Sequence, residues 1–186
     1  PWLWSWAGAV LLWLAVVAIA AGEGAGQVLT AALSFGVFFV VVAIGQMFVI
    51  AMGPGNIDLS IPSNIALSGS VAMIVMAGQD GMILPGLAAA LAAGLVVGIA
   101  NWALIRGFAM PPIIATLSSS LVFQSVAIAY GRGLRIAPPD GLAAFTTAQL
   151  WGVPVMAVAG FILAAIMAVV LQRTIYGRSV LAVGQN

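Results

Sequence analysis

A single carboxylate, Asp58, sits in the run Gly53-Pro54-Gly55-Asn56-Ile57-Asp58-Leu59-Ser60-Ile61-Pro62-Ser63, beside the amide of Asn56 and the hydroxyls of Ser60 and Ser63. Long apolar stretches flank the run on both sides. A carboxylate in such surroundings costs about 2.5–3.5 kcal/mol on insertion scales, so it must be compensated. Two compensations are open. Asn56 can cap a helix that starts near Ile57, which would put Asp58 in the first turn against the positive end of the helix dipole. Ser60 and Ser63 would then satisfy further backbone groups. Alternatively, the end of a half-helix lines a route for a polar solute, and its polar groups touch that solute. A proton relay fits less well, because one isolated acid makes a poor chain.

Other polar side chains lie inside apolar stretches. Gln46 and Asn101 are amides that need partners on neighbouring helices. Ser118, Ser119, Ser120 and Gln124 form the most polar stretch of any apolar segment, within a segment that also contains Thr116 and Ser125. Serine can bond back to the i−4 carbonyl at little cost, so serine alone means little. Together with Gln124, Ser118 and its neighbours make this segment a candidate cavity wall. The candidate pathway residues are therefore Gln46, Asn56, Asp58, Ser60, Asn101, Ser118 and Gln124.

Much chemistry is excluded. The chain has no His and no Cys, which rules out Ser/His/Asp and Cys/His nucleophile sets and disulfides. Four scattered acids make a metal centre a poor expectation. No Lys is present, so there is no phosphate-binding loop of the P-loop type. Paired-aspartate hydrolysis within a membrane is unsupported, because the other acids fall in loops. No catalytic residue, cofactor or metal is expected, and a net charge of +1 argues against nucleic acid.

These side chains must be held by membrane helices. Of 186 residues, 64% are hydrophobic and 5% charged, and mean hydropathy is +1.24. Soluble domains carry about 25% charged residues. A spanning helix needs about 20 apolar residues, and six segments qualify. They are Trp2 to Ala21, Val28 to Met52, Leu59 to Ala77, Met82 to Ile105, Ile113 to Tyr130 and Val153 to Leu171. Trp2 to Ala21 reads as a retained span, since no basic segment precedes it. The sequence thus predicts an all-α polytopic bundle, residues 1–186 forming a single transmembrane region, with a broken polar element near Asp58. Irregular backbone in a bilayer is tolerated only where protein or a water-filled cavity surrounds it. Gly22 to Gln27 reads as a short glycine-rich turn, Arg106 to Pro112 and Gly131 to Gly152 read as loops, and Gln172 to Asn186 remains as a tail. Placing Arg106, Arg173 and Arg178 inside leaves Arg132 and Arg135 outside with Glu23, Asp80 and Asp140. That count favours both ends in the cytoplasm. In the fourth segment Gly86, Ala90, Gly94 and Gly98 recur every four residues, a small-residue stripe for close helix packing or for a subunit interface.

Three stretches resemble one family. Gly55-Asn56-Ile57-Asp58-Leu59-Ser60-Ile61-Pro62-Ser63 resembles the Gly-Gly-Ile-Asp-Leu-Ser-Val-Gly-Ser signature of sugar-type ABC transporter permeases, the membrane subunits of ribose, xylose, arabinose and autoinducer-2 importers. Pro111-Pro112-Ile113-Ile114-Ala115-Thr116-Leu117 resembles that family's Pro-Pro-Phe-Ile-Ala-Thr-Leu, with Asn101 where the family has an Asn in the preceding helix. Arg173-Thr174-Ile175-Tyr176-Gly177-Arg178, then Ala182-Val183-Gly184-Gln185-Asn186, resembles the run just before the ATPase-docking segment. Asn56 and Pro62 replace two glycines of the family pattern. The resemblance implies the N-terminal portion of a roughly ten-span permease in the bacterial inner membrane, importing a sugar or similar polar solute. It implies a second permease subunit, cytoplasmic ATP-binding subunits that carry the ATP hydrolysis, and an external solute-binding protein. Arg173, Gly177, Arg178 and Asn186 would lie on the ATPase side. The competing expectations are an ion-coupled transporter that titrates Asp58 and a non-transporting membrane scaffold.

Overall fold

The computed structural model describes residues 2–20, 22, 24–132 and 137–185. Glu23, Arg135 and Asn186 lie outside the described residues. The described part is helical almost throughout, as the sequence predicts. In chain order it runs α1 (Trp2–Ile19), α2 (Ala25–Ile50), α3 (Ile61–Met76), a 3-10 turn (Asp80–Met82), α4 (Ile83–Gly107), α5 (Pro112–Gly131), α6 (Asp140–Thr147), a hairpin of β1 (Gln149–Leu150) and β2 (Val153–Pro154), α7 (Val155–Arg173) and α8 (Ile175–Gly184).

Punctuation follows from local chemistry. Past Ile50 the chain enters Gly53 and Gly55, whose φ values of 133° and 83° suit residues without a Cβ. The following helices tolerate proline because it falls in their first turn, where an N–H has no intrahelical partner to lose. Pro112 therefore opens α5 instead of closing the preceding loop. One expectation is corrected here: the stretch Gly131 to Gly152 is not all loop, since it holds α6 and the first strand of the hairpin. Most of the tail forms α8. Its start is fixed by Thr174, whose hydroxyl accepts from Gly177 N–H at 3.1 Å and donates to the Val170 carbonyl at 2.6 Å.

Among the described residues, four helical stretches are long and apolar enough to cross a membrane: Ala25–Ile50, Asp80–Gly107, Pro112–Gly131 and Val155–Arg173. Two shorter apolar helices, Leu3–Ile19 and Ile61–Met76, account for the remaining expected spans. At 1.5 Å per residue α3 is about 24 Å long, short of a hydrocarbon core of about 30 Å. Its shortness has a cause: Leu59 and Ser60 belong to the break and not to the helix. Large apolar side chains such as Phe38, Phe39, Leu91, Leu95 and Phe161 are exposed, as expected for a multi-pass membrane protein whose outer faces meet lipid tails.

The helices pack as two groups. Helix α3 lies against both α4 and α5, and α4 against α5. Ala72, Met76, Val97, Ala115 and Ala127 are buried in that group. The second group joins α2 to α7, α7 to α8, and α1 to α2, with Val37 packed on Gly160. The small-residue stripe of α4 is not uniform. A Cβ at Gly86 would run into the Met76 side chain and the Ala72 carbonyl, so α3 and α4 touch there. Gly94 meets Asn64 and Ser68 at ordinary contact distance, whereas Gly98 has nothing within 4 Å.

Gly86→Leu should therefore overpack the α3–α4 contact and cost about 1–3 kcal/mol. Gly98→Ala should be neutral or stabilising by up to about 1 kcal/mol. Thermal unfolding of the detergent-solubilised protein, followed by circular dichroism, distinguishes them. Equal melting temperatures for the two variants would contradict this packing.

Candidate functional site

The break between α2 and α3 holds the polar cluster. Helix α3 begins at Ile61, with Ser60 as its N-cap residue. This corrects the expectation that Asn56 caps a helix starting near Ile57: Asn56 is half-buried in the break, and Asp58 precedes the helix instead of lying in its first turn. One carboxylate oxygen of Asp58, Oδ1, accepts two bonds from Ser60, from N–H at 2.8 Å and from Oγ at 2.6 Å. Aspartate bonding to the backbone two residues on is the usual Asx arrangement of a turn.

Each neighbouring N–H of the break finds a side chain as well. Asp58 N–H donates to Gln46 Oε1 on α2 at 3.3 Å. Leu59 N–H donates to Thr116 Oγ1 on α5 at 3.0 Å. Thr116 in turn donates to the Pro112 carbonyl at 2.8 Å. Three consecutive donors that no helix or strand can take are thus satisfied by groups from α2, α5 and the break itself. Such groups cannot be left unpaired away from water without a cost of about 1–3 kcal/mol each.

The network continues into α4. Asn101 Nδ2 donates to Ser60 Oγ at 2.7 Å, and Asn101 Oδ1 accepts from Ser119 Oγ. Ser60, Ser63, Asn101, Thr116 and Ser119 are all buried. Among the described residues no buried side-chain nitrogen or oxygen lacks a partner. Of the residues predicted from sequence, the structure joins Gln46, Asp58, Ser60 and Asn101 in one network. Ser118 and Gln124 are exposed on α5 and stand outside it. Thr116 and Ser119, one helical turn apart, supply the α5 contribution. That i, i+3 spacing was visible in the sequence, but nothing there distinguished it from the neighbouring serines.

Beside the network lies a cleft of about 520 Å³. Asn56, Asp58, Asn101 and Thr116 give it one polar wall, and Gly98, Trp102 and Arg106 of α4 line another side. Val183 of α8 also lines it. A second cleft, of about 480 Å³ between α1, α2 and α7, is lined by residues such as Leu33, Val37, Val40 and Phe161 and suits acyl chains, not a polar solute. No group of three or more His, Cys, Asp or Glu that could hold a metal ion occurs among the described residues.

Helix α8 is packed onto the break. A Cβ at Gly184 would collide with the Ala51 carbonyl, and one at Gly177 with the carbonyls of Val170 and Leu171. The rings of Phe48 and Tyr176 stand 6.0 Å apart, tying α8 to the end of α2. Arg173 and Arg178 are exposed.

Among curated proteins, the chain is similar to the L-arabinose ABC transporter permease of Azospirillum brasilense, with 29% identity over 153 residues, covering 78% of this chain and 42% of that protein. It is similar to the ribose import permease of Bacillus subtilis, with 35% identity over 151 residues, covering 78% and 45%. It is also similar to the autoinducer 2 import system permease of Shigella flexneri, with 31% identity over 163 residues, covering 86% and 46%. The chain spans about half the length of the curated relatives it matches. No family model and no solved structure matches it. The motif resemblance thus extends to curated permeases of sugar ABC transporters along most of this chain.

Replacing Asn101 by Leu removes the link between Ser60 and Ser119 and should cost about 1–2 kcal/mol. Ser118→Ala should stay within about 0.5 kcal/mol of the parent. Melting of the two variants in the same detergent checks this, and an Asn101→Leu protein as stable as Ser118→Ala would refute the network.

Proposed function

We propose that this chain is the N-terminal portion of a membrane-spanning permease subunit of an ATP-driven importer, and that it translocates a sugar or similar small polar solute. The observation that carries the reading is the hydrogen-bonded break itself. A non-helical segment between two apolar helices has the N–H groups of Asp58, Leu59 and Ser60 paired by side chains, and an aspartate and an asparagine of it line a cleft. Broken helices beside a cavity are how polar solutes are accommodated within a bilayer. The relatives, named for L-arabinose, ribose and autoinducer 2, favour this over the ion-coupled alternative.

In this reading the permease works with a second permease subunit, cytoplasmic ATP-binding subunits and an external solute-binding protein, in a bacterial inner membrane. Both ends of the present chain face the cytoplasm. Hydrolysis of ATP belongs to the separate subunits, and the chain itself performs no covalent chemistry. Helix α8 would lie on the ATPase side. Its contact with Ala51 makes it the mechanical neighbour of the break, so a displacement of α8 is felt where the cleft is lined.

The complete permease, reconstituted with its ATP-binding and solute-binding partners in proteoliposomes, should take up a labelled sugar only when ATP is supplied to the ATPase side. Asp58→Asn should reduce the initial rate about tenfold, in keeping with the loss of a charge-assisted hydrogen bond. Uptake that persists without ATP-binding subunits, runs on an ion gradient and stops in Asp58→Asn would replace this reading with the ion-coupled one.

A further inference from the structure

The cleft beside the break has a second wall whose construction the function above does not use. Gly98, Trp102 and Arg106 follow one another at i, i+4 spacing on α4 and all line it. Gly98 has nothing within 4 Å of the place where a Cβ would stand, so the cleft is open at that point of its wall. Trp102 is 65% exposed. The result is a flat apolar face kept bare on the side of a partly polar cavity.

The polar part of the same lining is complementary. Asp58 is held in place through Oδ1 by Ser60, and Ser60 is held by Asn101. The other oxygen, Oδ2, accepts no hydrogen bond from the described residues. A fixed carboxylate with a spare acceptor asks for a ligand that donates, and with Arg106 lining the same cleft the two charges offset each other, which suits a neutral ligand. An aromatic plane in the same lining asks for a ligand with an apolar face. A neutral polyhydroxylated ring has both properties, because its hydroxyl edge donates while its C–H face is apolar. A cleft of about 520 Å³ leaves room for a monosaccharide together with water.

Resting on the permease reading, we propose that Trp102 and Asp58 form a sugar-ring subsite within the permease itself. Trp102 is then a specificity-determining residue. It makes the permease select neutral sugars in addition to any selection by an external binding protein.

The test uses the complete permease assembled with its partners. A version retaining Trp102 as its only tryptophan, the others replaced by Phe, is titrated with D-ribose, L-arabinose and a ribose phosphate. A shift of Trp102 emission and protection from acrylamide by a neutral sugar, but not by the phosphate, is expected. In uptake assays Trp102→Leu should raise KM about three- to tenfold, the worth of one aromatic contact, while Trp102→Phe retains most of the affinity. Gly98→Leu should abolish the emission shift. Emission that brominated lipids quench and sugars leave unchanged would make Trp102 a lipid-facing anchor and overturn the subsite. An equal response to the phosphate would overturn it too, as would an unchanged KM in Trp102→Leu. These failures are distinct from failure of the permease reading, in which the parent assembly itself shows no ATP-dependent sugar uptake.

Discussion

The backbone N–H groups of Asp58, Leu59 and Ser60 have no place in a helix or a sheet, and the segment that carries them runs between apolar helices. Every one of them must be paired. Their partners come from Gln46 on α2, Thr116 on α5 and the Asp58 carboxylate itself. This one requirement fixes the mutual positions of α2, α3 and α5 at the break. It also explains why polar side chains stand in helices whose other residues are apolar. Asn101 extends the same logic to α4 by bridging Ser60 and Ser119. Asp58, Asn101 and Thr116 of this hydrogen-bond scaffold also line the cleft.

That double use follows from valence. A carboxylate has more acceptor capacity than the two bonds from Ser60 consume, and a side-chain amide has more than two bonds to offer. Groups recruited to satisfy backbone therefore retain spare capacity, and where they line a cleft that capacity faces its contents. Asp58 is the plain case. Its Oδ1 is consumed internally, which fixes the orientation of the whole carboxylate at a cavity wall. Under the proposed importer reading, alternating access requires such groups to be rigid locally while the elements that carry them move. The tight backbone contact of Gly184 with Ala51 and the ring pair Phe48–Tyr176 supply a stiff connection from α8 to the break.

Packing outside the break is looser in kind. Gly86 admits the Met76 side chain between α3 and α4, and Gly160 admits Val37 between α2 and α7. Small residues permit these approaches because no hydrophobic gain drives one helix onto another in lipid, so close van der Waals contact must do so. The same four-residue stripe on α4 changes role along its length, from packing at Gly86 to clearance at Gly98. Spacing alone cannot reveal that change, because it depends on where α3 ends and the cleft begins.

The sequence by itself determined that helices would dominate, where the long ones lie and that a polar break follows α2. Hydropathy and helix-breaking residues act locally, so length, glycine and proline are sufficient for that. Asp58, Ser60, Gln46 and Asn101 were legible as polar groups needing partners, because any such group between apolar stretches is costly. The partnerships were decided only by the tertiary structure. Thr116 and Ser119 were not separable from Ser118 without knowing which side of α5 meets α3 and α4. The true start of α3 at Ile61, the helices within the expected loop and tail, and the bare face of Trp102 depend likewise on contacts between segments far apart in the chain. A periodic pattern shows which residues share a face, but it leaves open what that face will meet.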